Sequence, residues 1–283
     1  MTQLVVSRFS RASVYTWATF TAVLLSTNGL PNLMIIVLAS ISTFFMSLAV
    51  YILNDIVDLE VDKINAPKRL LVSKSLKKRD VLILFLFLNI GGMGIGYWLG
   101  FYTFLITVGE LILGITYSIK PFNFKDRFLA KTLIIGGGGI LASIFGGVAT
   151  NNVNGTVIYA ALLFIIFLFA TSPINDLADY IGDKAQKRKT IPIIIGPQNT
   201  IKLAIISAVS PFISSLIVIP MLNLTILLGI LYFFLGYISI KLLLPLLNNY
   251  SDLKKVRIHH KRMVPLHFFL QGALVLGTIS IPI

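Results

Sequence analysis

The sequence has no cysteine, which excludes disulfides and thiolate metal sites and leaves the redox compartment open. Histidine is nearly as scarce: His259, His260 and His267 are the only 3, and none has a second ligand at metal-binding spacing. Charge is scarce as well, at 12% of residues against 56% hydrophobic, with a mean hydropathy of +0.89. A soluble domain of 283 residues could not hide that much apolar surface from water. Most of the chain therefore belongs in lipid, where a spanning segment must satisfy its own backbone polar groups.

Runs of about 20 apolar residues cross a bilayer as helices. Nine such runs occur, approximately at 13–30, 32–53, 80–99, 101–119, 128–150, 153–175, 200–221, 223–246 and 264–282. The predicted fold is all-α and polytopic, one domain over residues 1–283. The first run is the shortest and most polar. Arg8 and Arg11 precede it as in a signal peptide, but no small-residue cleavage site follows, so it reads as a retained span.

A formal charge of +13 would suggest nucleic acid in a soluble protein, so the placement of the 24 basic residues decides its meaning. They lie before run one and around the joins of runs two and three, four and five, six and seven, and eight and nine. The alternate connections, 26–32, 99–101, 150–154 and 222–223, contain no Lys or Arg. This asymmetry predicts a cytoplasmic N-terminus and cytoplasmic long loops, and it excludes nucleic acid as the explanation. For most of these cations, orientation and contact with anionic lipid suffice.

Acidic residues number 11, and seven of them fall in two segments that align without a gap. Residues 54–63 read N-D-I-V-D-L-E-V-D-K and residues 175–184 read N-D-L-A-D-Y-I-G-D-K. Each leaves the predicted cytoplasmic end of an even-numbered run, so the pattern is that of an internal duplication. Two four-helix repeats, about 13–119 and 128–246, plus a ninth helix at 264–282 follow from it.

On a helix, Asp55, Asp58 and Asp62 stand at i, i+3 and i+7, one stripe, as do Asp176, Asp179 and Asp183. Three carboxylates on one face repel one another, so a counter-cation is expected. Oxygen ligands without His or Cys point to Mg²⁺, which takes one or two carboxylates per ion and completes its shell with water and phosphate oxygens. A single acidic stripe at a helix end is equally well read as a solvated surface paired with nearby Lys. The repetition of the same spacing, with the same preceding Asn54 and Asn175, favours a function.

These motifs, with Tyr117-Ser118-Ile119-Lys120-Pro121 after the fourth run, resemble the UbiA superfamily of intramembrane prenyltransferases over essentially the whole chain. The resemblance implies nine helices and Mg²⁺-assisted ionisation of an allylic prenyl diphosphate, two ions being expected. The carbocation would then be captured by a lipophilic acceptor. It implies Asn54, Asp58 and Asp62 as the first metal motif, with Asp55 inside it, and Asp179 and Asp183 as the second, extended by Asp176. Asp58, Asp62, Asp179 and Asp183 would be the catalytic set. Tyr117, Ser118 and Lys120 would contact the diphosphate, with Lys68, Arg69, Lys184 and Arg188 as further cations and Arg11 and Asn175 as additional contacts. The partners implied are the donor, the acceptor and the bilayer of a microbial, archaeal-type cell membrane, without an obligate protein partner.

The segment Gly182-Asp183 with Thr190-Ile191-Pro192 is similar to members that make digeranylgeranylglyceryl phosphate, and also to quinone and tocopherol prenyltransferases. The first motif departs from many relatives, reading Arg69-Leu70-Leu71-Val72-Ser73-Lys74 where those continue Arg-Pro. The acceptor therefore stays open between geranylgeranylglyceryl phosphate and an aromatic ring. Glu110 lies deep in the fourth run, where a carboxylate must be paired or face a cavity. The glycines at 136–139, 146 and 147 suit close helix packing. A cation-coupled transporter would instead need its acids near the membrane midplane, and only Glu110 is deep.

Overall fold

In a computed structural model of the chain, described over residues 2–59, 71–73, 76–185 and 187–279, every regular element is helical among the described residues. The first half holds α1 (Thr2–Ser26), α2 (Leu33–Val57), α3 (Lys78–Leu99) and α4 (Phe101–Ser118). The second holds α5 (Ala130–Ala149), α6 (Gly155–Ala178), the short α7 (Tyr180–Ala185) and α8 (Ile191–Ile195), then α9 (Pro197–Leu222) and α10 (Ile226–Leu243). The chain closes with α11 (Leu246–Asn249), α12 (Leu253–Met263) and α13 (Leu266–Thr278).

Among the described residues, seven helices are long and apolar enough to cross a membrane: α2 to α6, α9, and α10 continued through α11. The expected first and ninth runs correspond to α1 and α13, which do not reach that measure. Helix α1 mixes arginine with many Ser and Thr, and α13 has 13 residues. Helix α1 also begins at Thr2 rather than near residue 13, so Arg8 and Arg11 lie on the helix and not ahead of it. Val264 and Pro265 keep right-handed helical backbone, so α12 and α13 form one helix bent at the proline, which has no N–H to donate. The basic stretch before the ninth run is thus helical.

The helices that carry the two acidic segments start alike. The Asn32 side chain accepts from the Met34 amide at 2.9 Å and opens α2, and Asn154 accepts from the Val157 amide at 3.0 Å and opens α6. Consecutive long helices pack against each other, and α13 closes the ring against α10 and α1. Helix α1 also crosses the interior to pack on α5 and α6.

Without a hydrophobic force between helices in lipid, close backbone approach and buried hydrogen bonds carry this contact. A Cβ on Gly146 would lie 2.6 Å from the Thr19 carbonyl oxygen, and one on Gly139 would lie 1.9 Å from the Phe164 ring. Thr19 donates from Oγ1 to the Ala142 carbonyl at 2.8 Å in the same contact. Small residues at these points bring α1, α5 and α6 together, and so bring their polar ends to one place.

Candidate active-site cavity

The expected three-carboxylate stripe divides into two sorts of acid. Helix α2 ends at Val57 and α6 at Ala178, so Asp58 and Asp179 are the residues that close the helices, while Asp55 and Asp176 lie one turn earlier inside them. Asp183 stands on the separate helix α7. Asp62 lies outside the described residues, as do Lys68 and Arg69.

The inner acids turn away from open space. Asp55 is 4% exposed and pairs with the guanidinium of Arg8, whose Nε donates to Oδ2 at 2.9 Å. Asp176 is 2% exposed and pairs with Lys131 of α5. Arg8 stands as far before the end of α1 at Ser26 as Lys131 stands before the end of α5 at Ala149.

The outer acids face a cavity of about 670 Å³, which Asp58, Asp179, Asp183, Asn54 and Asn175 all line. Asp58 and Asp179 are each held by a cation distant in the chain, and Asp183 by one five residues on. Lys125 pairs with Asp58 and reaches the Asn54 Oδ1 at 3.4 Å. Arg257 of α12 donates to Asp179 at 2.7 Å. Arg188 bridges Asp183 at 3.3 Å and Asp126 at 3.1 Å. Burial raises the Asp183 carboxyl above its ordinary range, with Lys131 and Arg188 opposing the shift. On the opposite wall, His260 is pushed down to about 4 by burial and then by Arg11, Arg257, Lys131 and Lys261.

The cavity gathers only part of the expected cation set. Tyr117, Arg188 and Arg11 line it, Arg11 lying 5.9 Å from the centre of the Tyr51 ring. Ser118 is buried with no hydrogen-bond partner for its hydroxyl. Lys120 is exposed and outside the lining; Lys184 is exposed too, 5.9 Å from the Tyr180 ring centre. Besides Arg8 and Arg188, the cations that face the acids are Lys125, Lys131 and Arg257, which the sequence presents only as parts of basic loops. Asp126 was not singled out in the sequence, its one signal being that it is among few acids outside the repeat; Asn123 fixes it by donating at 2.5 Å. Nothing in the spacing marks Arg257 or His260, because α12 reaches the site only by folding back over α6.

Below this mouth lies a smaller apolar pocket that shares Tyr15, Tyr51, Asn54, Tyr117 and Ile135 with the cavity and carries Glu110 on its wall. The donors around the acids at the mouth are oxygens of carboxylate and amide, without sulfur, and the imidazoles of His260 and His267 line the cavity as well. That chemistry suits a hard divalent ion. No three acidic or histidine side chains among the described residues close a metal site by themselves, so an ion there would need ligand or water oxygens as well.

A ring of apolar helices around a carboxylate- and cation-lined mouth defines an integral membrane protein with a polar site at one end of its bundle. Residues 15–272 match the UbiA prenyltransferase family, and the chain belongs to that family. It is 34% identical over 170 residues to the digeranylgeranylglyceryl phosphate synthase of Thermococcus sibiricus, a stretch covering 59% of this chain and 58% of that protein. The matched stretch is thus about three fifths of the length of such curated relatives.

Among solved structures, one of digeranylgeranylglyceryl phosphate synthase in membranes superposes with a TM-score of 0.75 at 22% identity, over 99% of this chain and 100% of that one. A UbiA homolog from Archaeoglobus fulgidus bound to DMAPP and Mg²⁺ gives a TM-score of 0.66 at 19% identity, covering 97% and 98%. At these identities the likeness is one of fold.

Proposed function

We propose that the protein transfers a prenyl group from an allylic prenyl diphosphate to a lipophilic acceptor, using divalent metal held at the cavity mouth. The observation that carries this reading is the convergence of Asp58, Asp179 and Asp183, from two copies of one motif, on a single cavity with an apolar pocket beneath it. Asn54, Asp58, Asn175, Asp179 and Asp183 would hold two Mg²⁺ ions, joined by Asp62. When bound, these would neutralise the diphosphate as it leaves.

The residues of the chain do the rest. Lys125, Arg188 and Arg257 each hold one of these acids. With metal on the carboxylates, those cations would be available to phosphate oxygens, where charge-assisted hydrogen bonds are strong. Tyr15, Tyr51 and Tyr117 form a neck between mouth and pocket. The apolar walls below exclude water from an allylic cation formed at the neck.

The chain is read as two four-helix repeats and a ninth helix, with α1 and α13 completing nine spans and the mouth in the cytoplasm of a microbial, archaeal-type cell. The repeated pairs Arg8–Asp55 and Lys131–Asp176 support the duplication. The acceptor in this reading is geranylgeranylglyceryl phosphate, in line with the relatives' names, and an aromatic acceptor is the arm against which it is tested.

Purified protein in bilayers, given labelled geranylgeranyl diphosphate and both acceptors, should transfer label with Mg²⁺ and lose transfer with EDTA. Asp58→Ala and Asp179→Ala should each reduce it about 10²- to 10³-fold. Undiminished transfer in EDTA or in both variants would sink the proposal.

A further inference from the structure

The apolar pocket beneath the neck holds only about 100 Å³. Sites that enclose a ligand of moderate size run to about 300–1,000 Å³, so a long prenyl tail must leave this pocket somewhere. It has a polar floor. Glu110 lines it, is 8% exposed, and has its Oε2 without a hydrogen-bond partner. That oxygen is already buried, and an apolar chain filling the pocket would leave no room for a water to satisfy it.

Beside Glu110 the same two helices offer another course. The pocket uses α4 from Glu110 to Tyr117 and α5 from Ile134 to Gly138. A groove of about 510 Å³ continues with Tyr102, Leu105, Ile106 and Gly109 of α4 facing Leu141 and Val148 of α5. Pocket and groove therefore follow one another down one seam, which on α4 runs about 22 Å from Tyr117 to Tyr102 at the helical rise.

Where pocket and groove approach along the seam, glycines of both helices face leucines of the other. A Cβ on Gly109 would meet Leu141 Cδ1 at 3.4 Å, and one on Gly137 would meet Leu113 Cδ1 at the same distance. Leu113 lines the pocket and Leu141 the groove, each against a glycine of the facing helix and each with other staggered rotamers. Elsewhere the pocket is walled by Tyr15, Tyr51 and Met46.

We propose that the tail of a long prenyl donor leaves the inner pocket beside Glu110 and lies in the α4–α5 seam, with Gly109 and Leu141 setting the width of the passage. This rests on the prenyl-transfer reading. The occupant is the distal part of the donor because the groove continues from the site of its diphosphate, not from an isolated patch of lipid-facing surface. The seam would then discriminate donors by length: a dimethylallyl group ends in the pocket, whereas a geranylgeranyl chain needs the groove.

The test compares kcat/KM for dimethylallyl, geranyl and geranylgeranyl diphosphates in the full-length protein and in Gly109→Phe and Leu141→Trp. The geranylgeranyl value should fall by about tenfold or more and the dimethylallyl value stay within about twofold, the scale on which apolar subsites discriminate. Because the chain has no cysteine, Leu105→Cys supplies a unique thiol in the groove that a bulky maleimide can alkylate after folding. That blocks the groove even if the larger substitutions disturb folding, and it should give the same selective loss. An equal loss for all donors, or none for the longest, would overturn the seam path while leaving prenyl transfer intact. Transfer of no donor by the unmodified protein would instead overturn the underlying reading.

Discussion

The two acidic segments share Asn, three Asp and Lys at matching positions, yet their outer acids sit in different surroundings. The Asp58 side chain is 15% exposed and its partner Lys125 10%, whereas Asp179 is 50% exposed and Arg257 57%. The inner acids do not differ in this way: the Asp55 side chain is 5% exposed and that of Asp176 2%. The same acids at the same spacing thus give one equivalent pair and one unequal pair. The inner pair is set by contacts between neighbouring helices, α1 against α2 and α5 against α6. The outer pair is set by what each half folds over its own mouth, a short connection at Lys125 and the bent helix α12 at Arg257.

Removing an inner acid breaks this comparison most sharply. Asp176→Ala leaves Lys131 without its buried partner and should lower stability by about 3–5 kcal/mol. Asp179→Ala, losing an exposed pair, should change stability by less than about 1 kcal/mol. Thermal unfolding in detergent measures both, and equal shifts would show that burial does not separate the two acids.

The cations of the first half can be separated next. Lys125→Ala should raise KM for the prenyl diphosphate about tenfold, since a charged hydrogen bond contributes about 1.5–3 kcal/mol. Lys120→Ala should move it by less than about twofold, because Lys120 lies outside the cavity lining. The reverse order would restore the contact that the motif Tyr117-Ser118-Ile119-Lys120 suggested.

The second half also has its own pH dependence. His260 titrates near 4 in the folded chain against an ordinary 6.5, so between these values the unfolded chain binds the extra proton. Stability should therefore rise with pH across that window and fall as acid is added. His260→Asn should flatten this part of the unfolding profile; an unchanged slope would assign it to other groups.

Much of the fold was legible because lipid imposes few solutions: apolar runs of spanning length become helices, and basic loops sort to one side. The positions of Asp58, Asp179 and Asp183 were legible for a related reason, since acids are rare here and their spacing repeats. The division between inner and outer acids was not. It depends on α2 and α6 ending one residue before Asp58 and Asp179, and on Arg8 and Lys131 being helical residues that reach across to a neighbour. Sequence spacing gives positions along one helix, not which side a neighbouring helix covers.

By itself, then, the sequence determined a polytopic helical protein with two copies of one oxygen-rich motif at the same membrane face, because hydropathy and residue type are local properties. Only the tertiary structure decided which carboxylates face the cavity and that Lys125, Lys131, Arg257 and His260 join them. It also decided that Glu110 floors a pocket at the α4–α5 seam. Those are relations between helices far apart in the chain, fixed by close packing at Gly139 and Gly146 and by the bend at Pro265.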